Sequence, residues 1–287
     1  MKPDPRFAAQ TKEFWANVRT ISQELGYTQR GAGIIKVPSL AEVQKRYTAL
    51  GLSSVHLGKS TGELTSFGSI LFDYFAYRAN VLNDFVRVHL MNKAQAEAEF
   101  LKLQRRLKPT CPLPMNKQKG DKQNHAFLTG IVNMLVESVL GDEPCVYDPR
   151  SLTTLTHDNM PLRTLSRRVD GAYPSVVNPI AIWEVKEYYY TTTFGSRVAD
   201  GVYETLLDGM ELAELEVAAH RKVQHVLFVD DYFTWWECGR SYLCRIIDML
   251  HMGYVDDVLF GRETITVLPV LAAEWRSARK ALLKTKK

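Results

Sequence analysis

Apolar positions along this chain follow two periods, and the first half reads as helical. Phe7, Phe14, Trp15, Val18, Ile21 and Leu25 recur at helical spacing, and Gly26 can end that helix. Ser39 stands three residues before Glu42, the spacing of a capping box, which predicts a helix over residues 40–50 stopped by Gly51. Residues 67–90 are apolar enough for a core helix, and residues 93–107 predict a further one. Pro109, Pro112 and Pro114 cannot continue it, and a polar stretch over 117–122 follows. A domain boundary is therefore expected near residue 115, with a helical domain over 1–115 and a second domain over 116–287.

The second half alternates helix and strand signals. Residues 125–140 are apolar at helical spacing and closed by Gly141. Strands are expected over 168–173, 180–187 and 223–229, with a long acidic helix over 197–219 between the last two. A helix over 242–252, short strands over 255–260 and 265–270, and a basic helix over 272–287 complete the chain. This pattern predicts an α/β (α+β) core in which helices flank a mixed sheet.

Composition narrows the class. Hydrophobic residues make up 46% and charged residues 24% of the 287, which excludes a disordered chain, a collagen-like chain or a coiled-coil rod. No apolar run approaches a membrane span, and no secretory leader is expected behind Met1-Lys2-Pro3-Asp4-Pro5-Arg6. Four scattered cysteines read as reduced thiols of a cytoplasmic protein.

The net charge of +4 hides an asymmetry. Residues 1–120 hold 18 Lys and Arg against 9 Asp and Glu, a balance of +9, whereas the remainder is −5. A basic half suggests a polyanion surface. Lys45, Arg46, Arg105 and Arg106 are its candidate phosphate contacts.

The candidate chemistry lies in Asp170 and in Glu184-Val185-Lys186. A strand has a period of two, so Glu184 and Lys186 share one face while Trp183 and Val185 take the other. A hairpin from Asp170 to Glu184 can bring the two carboxylates together. Two carboxylates beside a lysine form a site for a hard divalent cation, which would polarise a phosphodiester and acidify a water. An acidic residue two before a lysine is a common tripeptide, but this sequence has it only here, after an apolar strand and an upstream aspartate.

Asp170, Glu184-x-Lys186, the preceding helix and the long following helix resemble the PD-(D/E)xK nuclease superfamily over roughly residues 121–270. This sequence departs at the first motif, where Val169 precedes Asp170 in place of proline. The resemblance implies a restriction-endonuclease-like fold and a Mg²⁺-dependent phosphodiesterase, with Asp170 and Glu184 as metal ligands and Lys186 as the catalytic lysine. It also makes Glu137, on the preceding helix, the candidate third acidic ligand. After Lys186-Glu187 come three tyrosines and three threonines, then Phe194-Gly195 and Ser196-Arg197 at the start of the next helix, a candidate phosphate seat.

Other features carry less. Gly58-Lys59-Ser60-Thr61 lacks the earlier glycine and the leading strand of a phosphate-binding loop. Asp230-Asp231 reads as a polar strand end, and Trp235-Trp236 as core or an oligomer contact. The expected function is cleavage of double-stranded DNA by a type II restriction endonuclease, acting as a homodimer because two strands need two active sites. Alternatives are a repair, recombination or phage-defence nuclease with little sequence specificity, or a non-catalytic DNA-binding protein.

Overall fold

A computed structural model of the protein describes residues 1–29, 31–116, 120, 123–191, 195–219 and 221–285. The helices α1 (Pro5–Ala8) and α2 (Lys12–Leu25) lead to a two-stranded ribbon, β1 (Thr28–Gln29) with β2 (Ile34–Ile35), and then to α3 (Leu40–Ala49) and α4 (Ser66–Asn80). α4 continues through a π-helical turn over Val81–Val86 into the short α5 (Arg87–His89), and α6 (Lys93–Leu107) follows. Thr11, Ser39, Thr65 and Asn92 cap α2, α3, α4 and α6, and Ser39 with Glu42 makes the expected capping box.

Beyond the prolines come α7 (Phe127–Leu140), a hairpin of β3 (Thr154–His157) and β4 (Met160–Thr164), and then β5 (Gly171–Tyr173) and β6 (Ala181–Lys186). The remaining elements are α8 (Ser196–Ala219), β7 (Gln224–Val229), a second π-helical turn over Phe233–Cys238, α9 (Arg240–His251), β8 (Asp257–Phe260) and α10 (Glu263–Thr285). The main sheet has the order β5-β6-β7-β8. β5 is antiparallel to β6, and β6, β7 and β8 run parallel. The protein is thus α+β, with a mixed sheet flanked by helices.

Alternation along the strands sorts the core into two layers. Trp183, Val226, Phe228 and Leu259 pack with α6, α7 and α10 through Phe100, Ile131, Leu135 and Trp275. Leu227, Val229, Val258 and Phe260 pack on the opposite face with Val198 and Val202 of α8 and with Ile246 and Leu250 of α9. β6 is therefore an interior strand with α7 on one side and α8 on the other.

Three expectations change. Residues 265–270 are helical, because Leu268, Leu271, Ala272 and Trp275 bury at helical spacing and carry α10 through Pro269. The β3–β4 hairpin and both π-helical turns had no sequence signal. The proline stretch also does not separate two cores, since α6 before it and α7 after it share one cluster. A smaller core of Phe7, Phe14, Val18, Tyr47 and Tyr74 lies in the first 85 residues, and Met252 packs against it. It joins the rest through Arg78, whose Nη1 lies 2.9 Å from Asp248 Oδ1, and through Asp4 N–H, which donates to His251 Nε2 at 3.1 Å.

Candidate active site

The end of β6 brings the acidic motif together. Asp170 N–H donates to Trp183 O at 3.0 Å, and Gly171 pairs with Trp183 across the β5–β6 ladder. This register sets Asp170 beside Glu184. Asp170 Oδ2 accepts from Val185 N–H at 2.8 Å. Glu184 is fully buried, and its Oε2 accepts from Lys186 Nζ at 2.9 Å. Lys186, 6% exposed, also lies 3.5 Å from Glu204 Oε2 of α8. Gly201 of α8 permits this path, since a Cβ there would stand 2.8 Å from Tyr188 Oη and 3.3 Å from Lys186 Cδ.

Sequence reasoning assigned no role to Arg167, three residues before Asp170. Its Nη1 lies 3.0 Å from Glu184 Oε1 and 2.5 Å from Asp208 Oδ2, and its Nη2 lies 3.3 Å from Glu204 Oε2. The signal was present in Arg167-Arg168 ahead of the first acidic motif. Glu204 and Asp208 come from successive turns of α8, so the side chains at i and i+4 reach the same guanidinium. Glu204 thus pairs with both Lys186 and Arg167.

Charge does not balance in this cluster. Among the described residues, Lys186 and Arg167 are the cations that pair with Glu184, Glu204 and Asp208, and both also lower Asp170. Burial opposes ionisation of Glu184, but Lys186 and Arg167 outweigh it and hold this carboxyl below its ordinary range. Burial and the Glu184 charge push Asp170 up to about 6 and Asp208 up to about 7. Burial is the larger cause in each, and the nearby Glu184 charge adds to it.

A divalent cation suits that excess. Glu184 Oε1 and Asp208 Oδ1 are buried oxygens without a hydrogen-bond donor, and the Arg167 contact to Glu184 Oε1 is an ion pair without hydrogen-bond geometry. The donors are hard carboxylate oxygens. Among the described residues no three His, Cys, Asp or Glu side chains form a ready cage. Asp170 and Glu184 would hold such an ion, with water completing its shell, as Mg²⁺ prefers.

Glu137 is not part of this cluster. Its carboxylate accepts from Thr110 N–H at 3.1 Å and from Thr110 Oγ1 at 2.5 Å. The reason is its position along α7. Thr129, at the start of α7, donates its N–H and hydroxyl to Glu187 Oε2, both at 2.9 Å, so that end of the helix meets the end of β6. Glu137 is eight residues further on, about 12 Å along the axis. Glu187, directly after Lys186, thus supplies the cap that Ala126 cannot.

The DNA-contact candidates are spread over the surface. Lys45, Arg46, Arg105 and Arg106 are exposed, and Arg46 pairs with Glu24. Ser196 is the first residue of α8, and Arg197 O accepts from Tyr188 Oη at 3.4 Å, which sets this helix start beside the end of β6. Thr192, Thr193 and Phe194 lie outside the described residues. Asp230 accepts from Tyr188 N–H and Trp235 Nε1–H, a structural strand end, and Trp235 and Trp236 are core. Among the described residues no helix is long and apolar enough to cross a membrane.

Titration of the cluster gives a direct test. Asp170 and Asp208 have folded pKa values above the usual unfolded value of about 4. Their contribution to stability is complete below that pH and is lost as pH rises through about 6 and about 7. Asp208→Asn removes one such loss. Its melting temperature relative to the parent should rise between about pH 5 and pH 8, and a pH-independent difference would contradict the assignment.

Two family models match the chain. One is described as Domain of unknown function (DUF7690) and covers residues 1–85, and the other as Domain of unknown function (DUF7687) and covers residues 91–275. The second range coincides with the larger core, whose buried members run from Met91 to Trp275. No curated protein and no solved structure matches the chain.

Proposed function

The chain belongs to the family described as domain of unknown function DUF7687, and we propose that it is a Mg²⁺-dependent endonuclease acting on double-stranded DNA, a type II restriction endonuclease of the PD-(D/E)xK kind. The observation that carries this reading is the convergence of Asp170, Glu184 and Lys186 at the end of an interior strand, with negative charge in excess. Bound Mg²⁺ would supply Lewis acidity toward the phosphodiester and acidify a water.

The side chains have distinct parts in this reading. Asp170 and Glu184 present the ligand oxygens. Arg167 keeps Glu184 ionised and fixes one of its oxygens. The Lys186 ammonium stabilises charge that develops on the phosphate. The enzyme is cytoplasmic and works as a homodimer, one site per strand.

A plasmid digest with Mg²⁺ tests the proposal. Discrete fragments support restriction, a smear supports a nuclease of little specificity, and an intact plasmid under all Mg²⁺ conditions rejects cleavage. A second reading, a non-catalytic DNA-binding protein, draws on the full burial of Glu184 between Lys186 and Arg167, which is also how a structural ion-pair network looks.

If the basic half contacts phosphates, replacing Arg105 and Arg106 together by Gln should weaken DNA binding across all sequences. It should also lower the slope of log K against log salt by about 2. An unchanged slope in a filter-binding titration would move the DNA surface elsewhere.

A further inference from the structure

A pocket of about 280 Å³ opens beside the segment that joins the two family regions. Arg87, Asn92, Gln95, Tyr232 and Arg262 line it, with Val88 and Leu90 as its apolar part. It lies at the carboxyl ends of β7 and β8, the edge where open α/β sheets bind ligands. Backbone bonds hold the crossing segment in place. Tyr232 N–H donates to Met91 O and Arg262 N–H to His89 O, both at 2.9 Å. Gly261, at φ +44°, permits this approach, because a Cβ there would stand 2.2 Å from His89 O.

The polar lining is made of donors. Among the described residues neither Arg87 nor Arg262 has a carboxylate partner, and no Asp or Glu lines the pocket. Asn92 Oδ1 accepts from Gln95 N–H and Gln95 Oε1 from Asn92 N–H. The capping box thus consumes the acceptor of each amide and leaves both NH₂ groups to donate. Tyr232 adds a hydroxyl.

Both π-helical turns border this place, the first by its end and the second by its start. Val81–Val86 runs directly into Arg87, and Tyr232 is the N-cap of Phe233–Cys238. Trp236 of the second turn stacks under Arg87 at 5.6 Å. Such turns are rare and gather at functional sites.

We infer that this pocket binds a phosphomonoester, apart from the Asp170–Glu184–Lys186 cluster. Two guanidinium groups match a phosphate charge of about −1.5 to −2, and their forked donors suit its oxygens. The volume admits a phosphate and a sugar-sized group. That chemistry belongs equally to the 5′ end of a nucleic-acid strand and to a free nucleoside monophosphate.

The test is calorimetric titration of the full chain in EDTA with four probes. They are inorganic phosphate, a nucleoside 5′-monophosphate, a 5′-phosphorylated tetranucleotide and the same tetranucleotide with a 5′-hydroxyl. The phosphorylated probes should bind at least about tenfold more tightly than the hydroxyl form, the scale of one charged hydrogen bond. A stronger tetranucleotide identifies a strand end, and a mononucleotide that binds as well identifies the free ligand. Arg262→Gln should remove the preference with an unchanged melting temperature, and Lys186→Ala should keep it. Equal binding of the 5′-phosphate and 5′-hydroxyl forms overturns the inference. A preference lost in Lys186→Ala but kept in Arg262→Gln also does so, because the phosphate would then sit at the other cluster. Since EDTA removes the metal, the outcome does not depend on whether the protein cleaves DNA.

Discussion

Asp170→Asn and Glu184→Gln should each lower DNA cleavage by at least about 10²- to 10³-fold, the cost of deleting an electrostatic contact to a transition state. Both changes remove charge and keep shape. Binding of DNA without metal should survive or tighten, because the cluster holds more carboxylates than cations and repels a phosphate. Lys186→Ala should also stop cleavage while leaving Mg²⁺ binding, since an ammonium is no metal ligand.

The paired measurements are a plasmid digest and a gel shift in Ca²⁺, with a thermal melt for each variant. Asp170→Asn is the decisive member. It breaks no ion pair to Lys186 or Arg167, so a structural network predicts near-parental cutting or none in either protein. A folded Asp170→Asn variant that cuts at the parental rate would refute the site.

Asp248→Ala should destabilise the protein by about 3–5 kcal/mol, because it strands a guanidinium in the interior. Arg78 is 1% exposed. Its Nη1 donates to both Asp248 oxygens at 2.9 and 3.0 Å, its Nη2 donates to Ser22 Oγ at 3.0 Å, and Tyr74 Oη–H donates to Asp248 at 2.5 Å. Replacing the whole pair, as Arg78→Met with Asp248→Leu, should cost far less, since desolvating two ions consumes most of their attraction. Urea unfolding of the parent and the two variants measures this. A double variant less stable than Asp248→Ala would show that the pair contributes more than its desolvation costs. Arg78 and Asp248 are 170 residues apart, so the pair also fastens the first helical core to α9.

Much of the helical layout was legible because burial imposes a period. α6 was found to the residue, and α7, α8 and α9 to within two, since each buries one stripe against a sheet or a neighbouring helix. Residues 265–270 misled for the same reason in reverse. A short apolar run bounded by Gly261 reads as a strand until Leu271, Ala272 and Trp275 extend its period. The β3–β4 hairpin had no clear alternation, because Met160, Leu162 and Thr164 of β4 are all exposed.

The amino-acid sequence by itself determined the strand that ends in Glu184 and Lys186, the face these two share, and the neighbourhood of Asp170. A strand's two-residue period and a short hairpin are local properties, and local properties are written in consecutive residues. Only the tertiary structure decided that Arg167 and α8 complete the cluster, that Glu137 lies two turns away, and that Arg87 and Arg262, 175 positions apart, line one pocket. Those meetings depend on how helices cross the sheet. That geometry comes from the summed packing of distant apolar faces, and no window of the sequence contains it.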